Sequence, residues 1–184
     1  MNDKAMKLEN PARLAELNPA DTLKRIGLQD GHVLCDIGAG SGIFTIPAAR
    51  ITGSTVYAVE ISETMLAVIS EKMKAEGLTN VELVRTAGDR YCIGDHSVDV
   101  AIAVTVLHEI SDKEAFLQEV RRLLKPDGMA AVIEFHQRET PMGPPVSRRL
   151  SQEDVSGVFA GSGFCLHDAF DLGDNFYCQV FKPV

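Results

Sequence analysis

Val33-Leu34-Cys35-Asp36-Ile37-Gly38-Ala39-Gly40-Ser41-Gly42 is a short apolar run that ends in an acid and passes into three glycines alternating with small residues. Ile43-Phe44-Thr45-Ile46-Pro47-Ala48-Ala49-Arg50 follows with helical spacing. The pattern predicts a buried strand, a tight turn and a helix. Glycine has no Cβ and tolerates positive φ, so such a turn lets backbone come close to a ligand. The N–H groups that open the next helix can meet an oxygen-rich or anionic group.

The same alternation continues outward. Thr55 to Glu60 predicts a second strand, and a helix from Ser62 to about Glu76 starts at a capping serine and stops at Gly77. Val81 to Arg85 reads as a third strand. Val98 to Val106 is almost continuously apolar, as expected of a strand covered on both faces of a parallel sheet. Asp112 to Lys125 is amphipathic and is closed by Pro126-Asp127-Gly128, with a further strand from Met129 to Phe135. A loop from Gln137 to Leu150 leads to a helix starting at Ser151, and Phe164 to Phe181 reads as two strands around Gly173-Asp174-Asn175. Before the glycine turn, Pro11 to Gly27 predicts one or two short helices. Strands alternating with helices imply an α/β fold: a three-layer α/β/α Rossmann-like sandwich on a mostly parallel seven-stranded sheet, with one antiparallel strand near the C-terminus.

Bulk properties narrow the class. No repeat or composition break divides the 184 residues, so residues 1–184 are expected to form a single domain. A formal net charge of -8 argues against a general nucleic-acid binder, which needs a basic face. The first ten residues lack the apolar core of a secretory signal, and Val100 to Leu107 is too short to span a bilayer. A cytoplasmic setting is expected. Cys35, Cys92, Cys165 and Cys178 show no metal-ligand spacing, so they are expected to be reduced packing or surface thiols, with no metal site.

A dinucleotide fingerprint would require a third small residue at position 43, where Ile43 stands, so the turn departs from an NAD reader. Glu60 ends the second strand, 22 residues after Gly38, where a carboxylate can accept both hydroxyls of a ribose. With these residues the chain resembles the class I S-adenosylmethionine-dependent methyltransferases. Asp36 to Gly42 resembles that family's first motif and Val56 to Glu60 its acidic second strand. Asp95 to Val100 with Val106 to Ile110, and Leu123 to Gly128, resemble its fourth-strand region and the entry to its fifth. The resemblance covers about Leu28 to Phe135 and is nearest to the small ubiquinone/menaquinone-biosynthesis-like members.

The resemblance implies S-adenosylmethionine as cofactor and a small-molecule methyl acceptor. Gly38, Ala39, Gly40 and Gly42 would shape the turn under the methionine part. Asp36 would organise that turn or reach the amino group through water. Glu60 would hold the ribose hydroxyls and Ile61 would flank the adenine. Where the family usually carries an adenine-contacting Asp this chain has Ala87, with Asp89 two residues later, so either Asp89 substitutes or backbone groups read the adenine. His108, directly after the fourth strand, and His136, at the end of the fifth, are the candidate bases. Residues 1–28 are expected to supply helices over the site. Residues 137–150 offer a lid with Gly143 as hinge, and Arg138, Arg148 and Arg149 either form a solvated basic loop, the reading an acidic protein favours, or meet an anionic acceptor. No Asn-Pro-Pro-Tyr occurs, and Cys92 follows Tyr91 rather than proline, which disfavours amino-directed and cytosine-C5 nucleic-acid methylation. The alternative is a non-catalytic S-adenosylmethionine or nucleotide-binding module with a regulatory or assembly role.

Overall fold

The structure is a computed structural model that describes residues 3–86, 88 and 90–184. Among these residues, seven strands form one sheet: β1 (Leu34–Ile37), β2 (Val56–Glu60), β3 (Val81–Arg85), β4 (Val98–Val104), β5 (Leu124–Phe135), β6 (Phe164–Leu172) and β7 (Phe176–Pro183), in the order β3-β2-β1-β4-β5-β7-β6. β1 runs parallel to both neighbours, with Cys35 opposite Tyr57 on one side and Ala101 on the other. β7 is antiparallel to β5 and to β6. The three-residue connection from β6 to β7 can only fold back on itself, whereas parallel neighbours need a crossover.

The helices are α1 (Asp3–Leu8), α2 (Pro11–Leu17), α3 (Pro19–Ile26), α4 (Thr45–Thr52), α5 (Glu63–Glu76), α6 (Lys113–Leu123) and α7 (Gln152–Gly161). Their ends follow the chemistry of the sequence. Asn10 Oδ1 accepts the Ala12 N–H at 2.9 Å, and Asp112 accepts that of Ala115 at 2.9 Å. Ser151 and Asp154 form a reciprocal capping box at the start of α7. Among the described residues no helix is long and apolar enough to cross a membrane.

Alternate strand residues feed two cores. Leu34, Val56, Val100 and Ala131 belong to one, joined by Leu23 of α3, Ala48 of α4 and Ile69 of α5. Cys35, Val59, Ala101 and Val132 belong to the other, with Leu117 of α6 and Phe159 of α7. Burial from both sides explains the unbroken apolar run of β4.

Two boundaries differ from the sequence reading. β4 stops at Val104, because Thr105 has φ +55° and leaves the extended region. β5 starts at Leu124 directly after α6. Val98 pairs with Leu124 and Val100 with Met129, so the residues between bulge from the ladder. A Cβ on Gly128 would lie 3.0 Å from the Lys125 carbonyl and 3.1 Å from that of Val98, a tight approach that a larger residue could enter only if the backbone gave way. The short helix α1 precedes the helices read from Pro11 to Gly27 and lies within residues 1–28, and its Leu8 packs on the glycine turn.

Candidate functional site

The three glycines of the turn have φ of +71°, +55° and +81° for Gly38, Gly40 and Gly42. Each also permits a different close approach. A Cβ on Gly38 would lie 2.5 Å from Val106 Cγ2, one on Gly40 2.9 Å from Leu8 Cδ1, and one on Gly42 3.0 Å from Ile69 Cγ1. The turn therefore meets the end of β4, helix α1 and helix α5 at once. Gly38 and Ala39 both donate their N–H to the Val59 carbonyl, at 2.8 and 3.0 Å.

Asp36 lies under this turn with 2% of its surface exposed. Burial pushes its carboxyl up to about 6, against the pull of the Thr45 hydroxyl, which donates to Oδ2 at 2.6 Å. That bond fastens the end of β1 to the start of α4. Glu60 is also buried and is not a solvated strand end. Its Oε2 accepts the Gly40 N–H and its Oε1 the Ser62 N–H, each at 2.9 Å. One carboxylate thus joins the glycine turn to the cap of α5 while each oxygen keeps a further lone pair.

Gly38, Gly40, Glu60 and the exposed Ile61 border a cavity of about 650 Å³. This volume lies in the range of small-molecule sites. Helices α1 and α2 roof it through Lys7, Leu8, Asn10 and Arg13, and Met142, Gly143 and Pro144 of the proline-rich loop form a further wall. Ala39 and Gly42 do not line this cavity: Ala39 belongs to the first core and Gly42 packs against Ile69. Asp89 lies outside the described residues.

His108 also lines this cavity, from a 3₁₀ turn (Leu107–Glu109) after β4. Its Nδ1 is 2.8 Å from Glu134 Oε2, and its backbone N–H donates to Glu134 Oε1 at 3.2 Å. A carboxylate only accepts, so Nδ1 carries the proton and Nε2 is left to act as a base. The hydrogen bond to Glu134 raises the His108 pKa above its ordinary value, against the opposing effect of burial.

The structure does not bring His136 to the cavity. Side chains alternate along β5, and Phe135 takes the wall position. His136 Nε2 instead lies 3.2 Å from Asp171 Oδ1, with its ring 5.5 Å from that of Tyr177. Arg149 is likewise not available to an acceptor. It is 5% exposed and donates to the carbonyls of Pro144, His136, Arg138 and Met142, with its guanidinium 5.1 Å over the Phe135 ring. Arg138 donates to the Asp174 carbonyl at 2.7 Å, and Arg148 is exposed. A Cβ on Gly143 would lie 2.8 Å from the Phe135 ring, so this residue packs against the wall.

Sequence reasoning missed several groups at the site. Glu134 was visible as an acid inside an apolar strand, a pattern that commonly marks a paired or functional carboxylate. Arg13, in a seven-residue helix, carried no such signal. Tyr91 reaches the cavity wall because α6 holds its segment. Glu119 accepts the Tyr91 N–H at 2.7 Å, and Arg122 grips Glu119 at 2.6 and 2.7 Å, the Ile93 carbonyl at 2.9 Å, and Asp95.

Known proteins share this architecture. A family model described as a methyltransferase domain matches residues 35–132. The demethylmenaquinone methyltransferase of Geobacillus stearothermophilus is 32% identical over 119 residues, 64% of this chain and 51% of that protein. The ubiquinone/menaquinone biosynthesis C-methyltransferase of Pasteurella multocida is 31% identical over 130 residues, 69% of this chain and 47% of its own length. The chain thus spans about half the length of the curated relatives it matches. Among solved structures, a SAM dependent methyltransferase from Aquifex aeolicus is 28% identical with a TM-score of 0.92, covering 98% of this chain and 97% of that one. A putative type 11 methyltransferase from Sulfolobus solfataricus is 26% identical with a TM-score of 0.77, covering 90% and 91%.

Proposed function

Because the chain belongs to the methyltransferase domain family, we propose that it transfers a methyl group from S-adenosylmethionine to a small-molecule acceptor. One observation carries this reading. A buried carboxylate, Glu60, borders the same cavity as the glycine turn, and that cavity extends to a carboxylate-supported histidine.

Residues 1–184 act as one methyltransferase domain, with helices over both sheet faces in the three-layer Rossmann-like arrangement. Gly38 and Gly40 form the cradle, Glu60 receives the ribose hydroxyls and Ile61 flanks the adenine. Ala39 and Gly42 hold the shape of the turn, and Asp36 fastens it to α4. Asp89 or nearby backbone groups read the adenine edge. The cofactor, when bound, supplies an activated methyl group. The protein's part is then to position the nucleophile in line and to accept its proton. His108 takes that proton at Nε2, while Glu134 holds the ring and stabilises the imidazolium that forms.

The cavity walls beyond His108 are mostly apolar, including Val104, Val106, Ile110 and Phe135. A flat hydroxylated ring fits them, and the quinone-pathway relatives make a quinol or phenol the first acceptor class to try. A screen of quinol, phenol, thiol and amine acceptors with labelled S-adenosylmethionine tests the reading. Label is expected in a quinol or phenol product. Cofactor binding without transfer to any class would leave the non-catalytic module in its place.

A further inference from the structure

Arg13 is 7% exposed, yet few of its donors have a protein partner. A guanidinium carries five N–H donors. Its Nη2 donates to Thr105 Oγ1 at 3.1 Å, while the buried Nε has no acceptor among the described residues. Its remaining close neighbour is the Phe176 ring, 5.6 Å from the guanidinium carbon. Glu134, the acid whose field reaches it, has both oxygens on His108. A buried cation with one neutral hydrogen bond is costly, because burial removes water without supplying a counter-charge.

The surroundings are arranged for that cation. Thr105, whose hydroxyl orients it, sits at φ +55°, a conformation β-branched residues rarely adopt. Arg13 and Thr105 both line the main cavity. A molecule bound in the cavity can supply the acceptors that the protein does not.

We propose that Arg13 is the receptor for an anionic oxygen, a carboxylate or an ionised hydroxyl, on a molecule held in the cavity. The inference rests on the methyl-transfer reading and specifies the chemistry of what that site accepts. Two molecules could supply the oxygen: the acceptor, or the amino-acid end of the methyl donor. Arg13 borders the main cavity with His108 and a smaller pocket with Asp36, Gly38 and Gly40, so the geometry admits both sources and ligand binding separates them. An acceptor held there combines an apolar body, matching Val104 and Phe135, with one anionic oxygen that a planar fork can grip.

The test uses two ligand pairs on the full chain, followed by calorimetry. Benzoate is compared with benzamide, and S-adenosylhomocysteine with 5′-methylthioadenosine, which lacks the amino-acid group. The wild type is expected to favour the anionic member of a pair by about ten-fold or more, the effect of hydrogen bonds to a charged group. R13Q is expected to lose that preference, and R13K to keep part of it. Loss within the benzoate pair assigns Arg13 to the acceptor, and loss within the nucleoside pair assigns it to the donor. Preferences that survive undiminished in both pairs in R13Q, or are absent from both pairs in the wild type, overturn the proposal. Should R13Q fail to fold, the wild-type preference and its change in R13K decide. If neither nucleoside binds, the methyl-transfer reading fails and the benzoate pair alone judges Arg13.

Discussion

His108→Ala is expected to lower kcat for methyl transfer by about 10²–10⁴-fold, the usual contribution of a positioned general base, and to leave the affinity for S-adenosylhomocysteine unchanged. The sheet order supports this division. Glu60 ends β2 and His108 follows β4, with β1 between those strands, and the His108 ring is held by Glu134 at 2.8 Å. The pH profile gives an independent check. A base must be neutral to accept a proton, so kcat rises with pH as His108 loses its own. Glu134 stabilises the protonated ring, which places that rise above the ordinary histidine value of 6.5. Glu134→Gln removes the charge but keeps an acceptor, so the rise should move to lower pH. Full turnover in His108→Ala would remove the histidine from the chemistry, and an unmoved profile in Glu134→Gln would remove the pairing.

Glu60→Ala should weaken S-adenosylhomocysteine binding by about 1–3 kcal/mol, the range for losing hydrogen bonds to a charged group, or roughly 5- to 150-fold. The substitution has two consequences that need separating. It removes the ribose acceptor, and it strips the Gly40 and Ser62 N–H groups of their partner. The 2′-deoxy analogue of S-adenosylhomocysteine distinguishes them. The wild type should bind that analogue more weakly than the parent, and Glu60→Ala should bind both alike. An unchanged affinity would confine Glu60 to holding the turn.

Local chemistry made much of this architecture legible. Glycines 38, 40 and 42, the acid at the end of β2, Ser62 and Gly77 around α5, and the apolar run of β4 each state their role within a few residues. What escaped depends on partners distant in the chain. His108 and Glu134 are 26 residues apart and meet because β4 and β5 are neighbours. Phe135 ends β5 on the cavity wall and His136 follows it outside the strand, a change of direction that the run Glu134-Phe135-His136 does not reveal. Arg149 looked free because its acceptors are carbonyls of a loop with no periodicity. Helix α1 has six residues, too few to show a 3.6-residue pattern, yet its Leu8 rests on Gly40. Arg13 needed the roof, the strand end and Phe176 to be seen together.

The central claim is that the glycine turn and Glu60 form a methyl-donor site and not a dinucleotide site. Calorimetric titration of the full chain with S-adenosylmethionine, S-adenosylhomocysteine and NAD tests it most directly. Saturable binding of the first two, with none for NAD, is the expected result. Tight binding of NAD with no binding of either S-adenosyl compound would contradict the account.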